Sequence, residues 1–255
     1  MVVALLTDFG TQDYFVAAMK GVILSINPDA KIIDVTHEIP PQDIASAAFV
    51  LKACYRDFPR DTIFVCVVDP GVGSERRAIV VETEDYKFVA PDNGLLDPVL
   101  LKSDSFKAFS ITNRKYMRSE VSNTFHGRDT FAPAAGHLST GVDAAEFGGQ
   151  INLTVKNIPT PVTINGQRDA RVIHIDHFGN LVTDISNNEL PDRFELEMSA
   201  TTVSNLYDFF AQADLGELFA IKGSSGYVEI AVREGSAADK LKVKRGDRIV
   251  VRPHE

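Results

Sequence analysis

The chain has 255 residues, 44% hydrophobic and 24% charged, enough to bury one large core or two modest ones and unlike a disordered or collagen-like composition. Its net charge is −9 with the acidic surplus spread along the chain, which opposes binding to a phosphate backbone and excludes nucleic acid as the expected partner. No segment reaches the roughly 20 apolar residues of a membrane span, and the first ten residues lack a signal peptide's basic lead-in and full apolar core, so a cytoplasmic protein with no membrane partner is expected.

From the N-terminus, short β-rich apolar runs alternate with segments of helical period: a strand at Val2–Leu6, a helix near Tyr14–Ile26, a strand at Ile32–Val35, a helix near Ile44–Tyr55 and a strand at Thr62–Val68. This alternation predicts a mainly parallel sheet with helices on both faces. Further strands are expected at Ala78–Val81 and Lys87–Val89, then a helix after Asn93-Gly94. Asp129 is expected to cap another helix, which reaches His137 and stops at Thr140-Gly141. Cys54 and Cys66 each lie in an apolar segment without metal-type spacing, the pattern of buried free thiols in a reducing compartment.

After Asn157–Pro161 the texture changes to short strands separated by turns, at Ala170–Ile175, Leu181–Ile185, Glu217–Ile221, Tyr227–Val232 and Arg248–Val251. The expected organisation is an N-terminal α/β domain over residues 1–157, a linker over 158–162, and an all-β, barrel-like C-terminal domain over 163–255.

Unusual polar clusters fall where strands should end, and ligands of open parallel sheets bind beyond the carboxyl ends of strands. Thr7-Asp8-Phe9-Gly10 follows the first strand, and Asp8 there has two readings: a carboxylate for the paired hydroxyls of a ribose, or a cap for the next helix. Asp8-Phe9-Gly10 also spells a kinase signature, but no upstream lysine strand or catalytic loop accompanies it. Asp69-Pro70-Gly71-Val72-Gly73 follows the third strand and reads equally as a structural turn or a site; a tight loop over Gly71–Glu75 would return one of Arg76 and Arg77 toward Asp69, and of the two Arg77 reads as surface charge.

Asn123–Asp129 is dense in functional groups and opens onto an expected helix N-terminus, and its His126 is the best candidate for a general base or water-orienting group. His37, His137, His174 and His254 have no partners at metal-ligand spacing, so no metal site is expected. In the second half, Asp176-His177-Phe178-Gly179-Asn180 and Gly223-Ser224-Ser225-Gly226-Tyr227 interrupt the strands; Asn180 suits the edge of a base, Asp176 an ammonium and the serine hydroxyls a carboxylate. A plain hairpin loop explains the second of these stretches nearly as well.

Five stretches in order, Thr7-Asp8-Phe9-Gly10, Val35-Thr36-His37, Ala90-Pro91-Asp92-Asn93-Gly94-Leu95-Leu96, Asp176–Asn180 and Gly223–Tyr227, resemble the S-adenosylmethionine hydroxide adenosyltransferases. That family is related to fluorinating and chlorinating enzymes acting on the same substrate. The resemblance implies hydrolysis of S-adenosylmethionine to adenosine and methionine, with no cofactor. It also implies a homotrimer whose active sites lie at subunit interfaces, between the N-terminal domain of one subunit and the C-terminal domain of its neighbour.

Carried onto this chain, the resemblance implies a water-handling trio of Asp69, Arg76 and His126. Asp8 would hold the ribose hydroxyls, Asn180, Phe178 and Tyr207 would meet adenine, and Asp176 with Ser224 would hold the methionine part. The halogenating branch has a tyrosine in place of the acid and a halide-contacting serine where this chain has Gly127. Its ribose-wall tryptophan is absent too, since the chain has no tryptophan and Gln42 stands nearest that place. The alternatives are a halide-using adenosyltransferase and a nucleoside-binding protein without turnover.

Overall fold

The first strand ends at Thr7 and the second begins at Lys31, with one helix between them, and this rhythm of strand and helix opens the N-terminal half. The computed structural model describes residues 1–156, 163–164, 167–198 and 200–253. Two units divide the chain, Met1–Asn157 and Ile158–Glu255; the linker expected at 158–162 lies outside the described residues.

The first unit runs β1 (Val2–Thr7), α1 (Phe15–Ile26), β2 (Lys31–Thr36), α2 (Ile44–Cys54), β3 (Ile63–Val67), β4 (Ala78–Thr83), β5 (Lys87–Pro91), α3 (Asp97–Leu100), β6 (Phe106–Ser110), α4 (Ala132–Ser139) and β7 (Gln150–Ile151). Its seven strands are ordered β2-β1-β3-β5-β4-β6-β7. The sheet is mixed rather than mainly parallel: β2, β1, β3 and β5 pair in parallel, whereas β4, β6 and β7 join antiparallel. The physical cause is the connection after β4, where Thr83 and Tyr86 bond across a tight turn that permits only an antiparallel neighbour.

Both faces of the sheet are covered, which is why β1 and β3 are continuously apolar. Val3, Leu5, Val65 and Val67 face a core shared with Met19 and Ile23 of α1 and Leu138 of α4, while Ala4, Leu6, Phe64 and Cys66 face one shared with Leu51 of α2 and Val99 of α3. The parallel register sets Thr7 beside Val67, so the segments leaving β1 and β3 emerge side by side.

Asp129 does not cap a helix. A single π-type turn at Gly127–Phe131 runs straight into α4, and Asp129 sits inside it, fully buried. Its carboxylate accepts from the Ser122 backbone N–H at 2.9 Å and from Arg128 Nε at 2.6 Å, and these bonds hold it below the usual carboxyl range although burial alone works to raise it.

The second unit contains β8 (Thr163–Ile164), β9 (Gln167–Ile175), β10 (Leu181–Ser186), β11 (Phe194–Met198), β12 (Thr201–Val203), β13 (Leu206–Tyr207), β14 (Leu218–Lys222), β15 (Tyr227–Val232), a short helix α5 (Ala237–Leu241) and β16 (Arg248–Pro253). One sheet joins them in the order β12-β11-β16-β9-β10-β15-β14-β13, with β8 on β9. Arg168–Arg171 of β9 pair with β16 and Val172–Ile175 pair with β10, so this long strand carries the sheet around a core that includes Phe194, Leu196, Val228, Ile230 and Ile249. The fold is a curled, half-barrel sheet as expected, with β11–β13 and α5 in addition.

Candidate active site

The segment leaving β1 places Asp8 where a strand-end ligand group belongs. Its Oδ2 accepts the backbone N–H of Gln42 at 2.7 Å, and Gln42 adopts a left-handed φ of 66° to present that N–H. The helix-cap reading of Asp8 falls, because α1 starts from Tyr14 without a side-chain cap. Burial, reinforced by the nearby charge of Asp69, raises the Asp8 carboxyl above its ordinary range despite the Gln42 bond.

Beyond β3 the loop folds back on itself through Val72 N–H to Asp69 C=O and Ser74 N–H to Gly71 C=O, and this returns Arg76 to Asp69. Arg76 Nε donates to both oxygens of Asp69 at 2.9 Å, and Nη2 also donates to Oδ2. Arg77 turns away, with its Nε bonded to Asp92 Oδ2 at 2.8 Å on the surface. Arg76 also lies over the Phe131 ring, 5.2 Å from its centroid, which supports a guanidinium largely withdrawn from solvent.

His126 joins them from another loop. Gly73 has φ of 77°, and a Cβ there would come 2.3 Å from the Asn123 carbonyl oxygen, so the loop bearing His126 packs against a position that only glycine can occupy. Arg76 Nη2 meets His126 Nδ1 at 2.8 Å. A guanidinium only donates, so Nδ1 is the acceptor and the ring proton of neutral His126 resides on Nε2. Burial first, then the Arg76 charge, pulls the His126 pKa below its ordinary value, against the opposing pull of Asp69 and Asp129. Arg76 and His126 together border a cavity of about 320 Å³, roomy enough for several waters. A larger cavity of about 650 Å³ lies along α1 and α4 and is lined by none of the expected site residues.

In the second unit, Asp176–Asn180 forms the turn between β9 and β10. Asp176 Oδ1 accepts from the N–H groups of Phe178 and Asn180 at 2.9 and 2.8 Å, and Oδ2 accepts from Asn180 Nδ2 at 2.9 Å. The turn thus occupies both carboxylate oxygens, leaving Oδ2 one further acceptor direction. Asn180 is 5% exposed, whereas Phe178 is 72% exposed, an aromatic face held out by a rigid turn. Ser224 lies exposed on the β14–β15 turn, which closes through Gly223 N–H to Tyr227 C=O at 2.9 Å. Tyr207, on β13, donates its hydroxyl to Glu217 Oε1 at 3.0 Å and packs against Phe219.

Two residues were given no role by the sequence. Glu229 lies opposite Val182, beside an irregularity in β10, and a Cβ at Gly223 would come 2.1 Å from its Oε1. Burial, then the charge of Asp176, raises its carboxyl pKa. A lone acid in the apolar run Tyr227–Val232 was the available signal. The other is His37, whose contacts with the Asp8 turn are described below.

A family model described as the SAM hydroxide adenosyltransferase N-terminal domain matches residues 3–148, and the corresponding C-terminal domain matches residues 170–250. The chain belongs to this family. Within the SAM hydroxide adenosyltransferase family it is 39% identical over 251 residues to the (R)-S-adenosyl-L-methionine hydrolase of Salinispora tropica, covering 96% of this chain and 95% of that relative. The crystal structure of a conserved protein from Thermotoga maritima superposes with a TM-score of 0.91 at 37% identity, covering 99% of this chain and 100% of that one. A fluorinase of an Actinoplanes species is more distant, 28% identical over 288 residues that span 98% of this chain and 97% of that relative.

Among the described residues, no group of three His, Cys, Asp or Glu side chains is placed to hold a metal, and no helix is long and apolar enough to cross a membrane.

Proposed function

We propose that this chain hydrolyses (R)-S-adenosyl-L-methionine to adenosine and L-methionine. The observation carrying this reading is the unbroken series Asp69–Arg76–His126, with the guanidinium donating to both of its neighbours. A solvent-derived oxygen bonds to ribose C5′ as the C5′–S bond breaks, and its electron pair returns to sulfur, so methionine leaves as a neutral thioether. The sulfonium is a good leaving group, and placing a nucleophile in line can supply up to about 7–11 kcal/mol of the barrier in ideal cases.

His126 acts here as a donor rather than a base. With Nδ1 occupied by Arg76 and Nε2 already protonated, the neutral ring has no free lone pair to accept a proton, but its Nε2–H can hold hydroxide in place. Asp69 balances the Arg76 charge, so the cationic substrate meets an electrically neutral pair. Asp8 serves the ribose hydroxyls through its Oδ1, Asn180, Phe178 and Tyr207 serve adenine, and Asp176 with Ser224 serves the methionine part. The family resemblance extends this reading to a homotrimer with its active sites at subunit interfaces. Cytoplasmic residence fits the two free thiols, Cys54 and Cys66.

Halide as nucleophile is disfavoured by Gly127: it offers no hydroxyl, and a Cβ there would meet Met19, Phe9 and Phe125 at 3.2 Å. The deciding experiment mixes purified protein with S-adenosylmethionine in oxygen-18 water and follows products by chromatography and mass spectrometry. The expected result is methionine together with adenosine labelled at its 5′ hydroxyl. A 5′-halo-5′-deoxyadenosine formed in chloride or fluoride would support the halide reading, and adenosine binding without methionine release would leave a non-catalytic binding protein.

A further inference from the structure

Resting on the reading of Asp8 as the ribose-binding group, we propose that His37 is a positioning residue that sets the aim of Asp8 by gripping the turn on either side of it.

Asp8 lies between two anchor points, and one residue supplies both. On the near side, Thr7 Oγ1 and His37 Nδ1 are 2.8 Å apart, while the Phe9 N–H donates to the same hydroxyl oxygen at 3.2 Å. On the far side, Gly10 N–H donates to the His37 backbone carbonyl at 2.8 Å. Residue 37 thereby spans the turn through its ring and its main chain together.

The proton arrangement follows from the donors. The Asp34 carboxylate, an acceptor beside Nε2, favours the ring proton on that nitrogen, and Nδ1 then accepts from the Thr7 hydroxyl, whose oxygen also accepts the Phe9 N–H. Nε2 faces Asp34 Oδ1 at 3.0 Å, and the other oxygen of Asp34 accepts from Lys20 Nζ at 2.6 Å. The side chains of Lys20, Asp34, His37 and Thr7 thus form a series from the surface to the residue preceding Asp8. His37 is 4% exposed and Thr7 is fully buried, so the bond between them does not compete with solvent.

A histidine that served the core alone would spend its polar atoms on secondary structure nearby. Here the inner ring nitrogen and the carbonyl both serve the four-residue turn bearing Asp8, while the outer nitrogen lies 3.0 Å from the Asp34 carboxylate. Gln42 closes the arrangement from the opposite side by donating to Asp8 Oδ2. The carboxylate is left with a defined direction before any ligand arrives, which limits what binding loses to side-chain ordering.

The test compares His37→Leu and Thr7→Val, which cut the link, with His37→Asn and Thr7→Ser, which retain an acceptor or a hydroxyl there. Adenosine affinity by calorimetry and steady-state kinetics with S-adenosylmethionine are read on the full-length protein, alongside melting temperature. The expected result is an adenosine Kd and a KM raised about tenfold or more in the cutting variants, with kcat within about threefold of wild type, and near-recovery in the conservative pair. In an Asp8→Ala background, His37→Leu should add no further loss of affinity.

A folded His37→Leu protein with unchanged KM overturns the proposal, as does a loss that adds fully to that of Asp8→Ala. Should His37→Leu fail to fold, Thr7→Val reads the same link and decides. If Asp8→Ala alone leaves adenosine affinity unchanged, the ribose reading of Asp8 fails first and carries the role of His37 with it.

Discussion

Arg76 donates to Nδ1 of His126 at 2.8 Å, and this contact leaves only the Nε2–H of the imidazole to face a nucleophile. In the proposed reaction the neutral ring holds an oxygen rather than taking a proton from one.

The pH dependence of the reaction separates these two roles. Burial and Arg76 depress the His126 pKa, so the ring is neutral above that value; on acidification Nδ1 gains a proton and becomes a second donor opposing Arg76. Activity is therefore expected to fall on an acid limb lying below the ordinary histidine range of about 6.5. Above it, kcat/KM should go on rising with hydroxide, measured from about pH 5 to about pH 10. A plateau that begins at the histidine titration and stays flat to the alkaline end would instead identify His126 as the base.

Replacing Arg76 tests the geometry of the pair. Lysine at position 76 keeps the charge but cannot donate to both Asp69 oxygens and to His126 at once, so Arg76→Lys should lower kcat by about 10²-fold or more with adenosine affinity within about threefold. His126→Ala should behave similarly, because the proposed mechanism assigns both side chains to the nucleophile and not to the nucleoside. Wild-type turnover in either variant would remove these residues from the mechanism.

Asp8→Ala should weaken adenosine binding by about 1–3 kcal/mol, the usual cost of losing a charged hydrogen-bonding group. Isothermal titration calorimetry gives the value directly.

Position 73 offers a test at a distance from the chemistry. Gly73→Ala must place a Cβ 2.3 Å from the Asn123 oxygen at a φ of 77°, so the loop carrying His126 has to move. The expected outcome is a stability loss of about 1–3 kcal/mol by thermal melting, together with a fall in kcat larger than the rise in KM. A variant as stable and as fast as wild type would show that the contact between these loops is dispensable.

Gly127→Ser probes the choice of nucleophile. Three side chains at 3.2 Å would have to give way, so we expect about 1–3 kcal/mol of destabilisation and no halogenated product in chloride or fluoride. Detection of 5′-halo-5′-deoxyadenosine from this variant would mean that the hydroxyl alone suffices for halide capture.

Much of this architecture was legible in advance because its signals are local. The apolar runs of β1 and β3, the helical period of α1 and α2, and the change to short strands after residue 161 all report on burial that each segment experiences by itself. The antiparallel half of the first sheet was not legible, since the turn at Thr83–Tyr86 looks like any polar connection until its partner strand is known. Phe194-Glu195-Leu196-Glu197-Met198 did carry a period-two pattern, and β11 buries its three apolar members.

At the site, the return of Arg76 to Asp69 followed from loop length and glycine content, and the structure draws His126 to the same guanidinium. The role of Asp129 was misjudged because an acid before an apolar stretch signals a cap, whereas here two neighbouring arginines and a backbone N–H drew it inside. Glu229 and His37 depend on contacts between distant segments, which spacing along the chain does not encode.

Gln42 holds a conformation that side-chain-bearing residues ordinarily avoid, at a cost of about 1–3 kcal/mol. A glycine there would hold the same φ without strain and keep the backbone N–H that Asp8 accepts, so Gln42→Gly is expected to raise the melting point. Local strain is thus stored at the residue whose main chain fixes one oxygen of Asp8, and the sequence forgoes that margin of heat resistance.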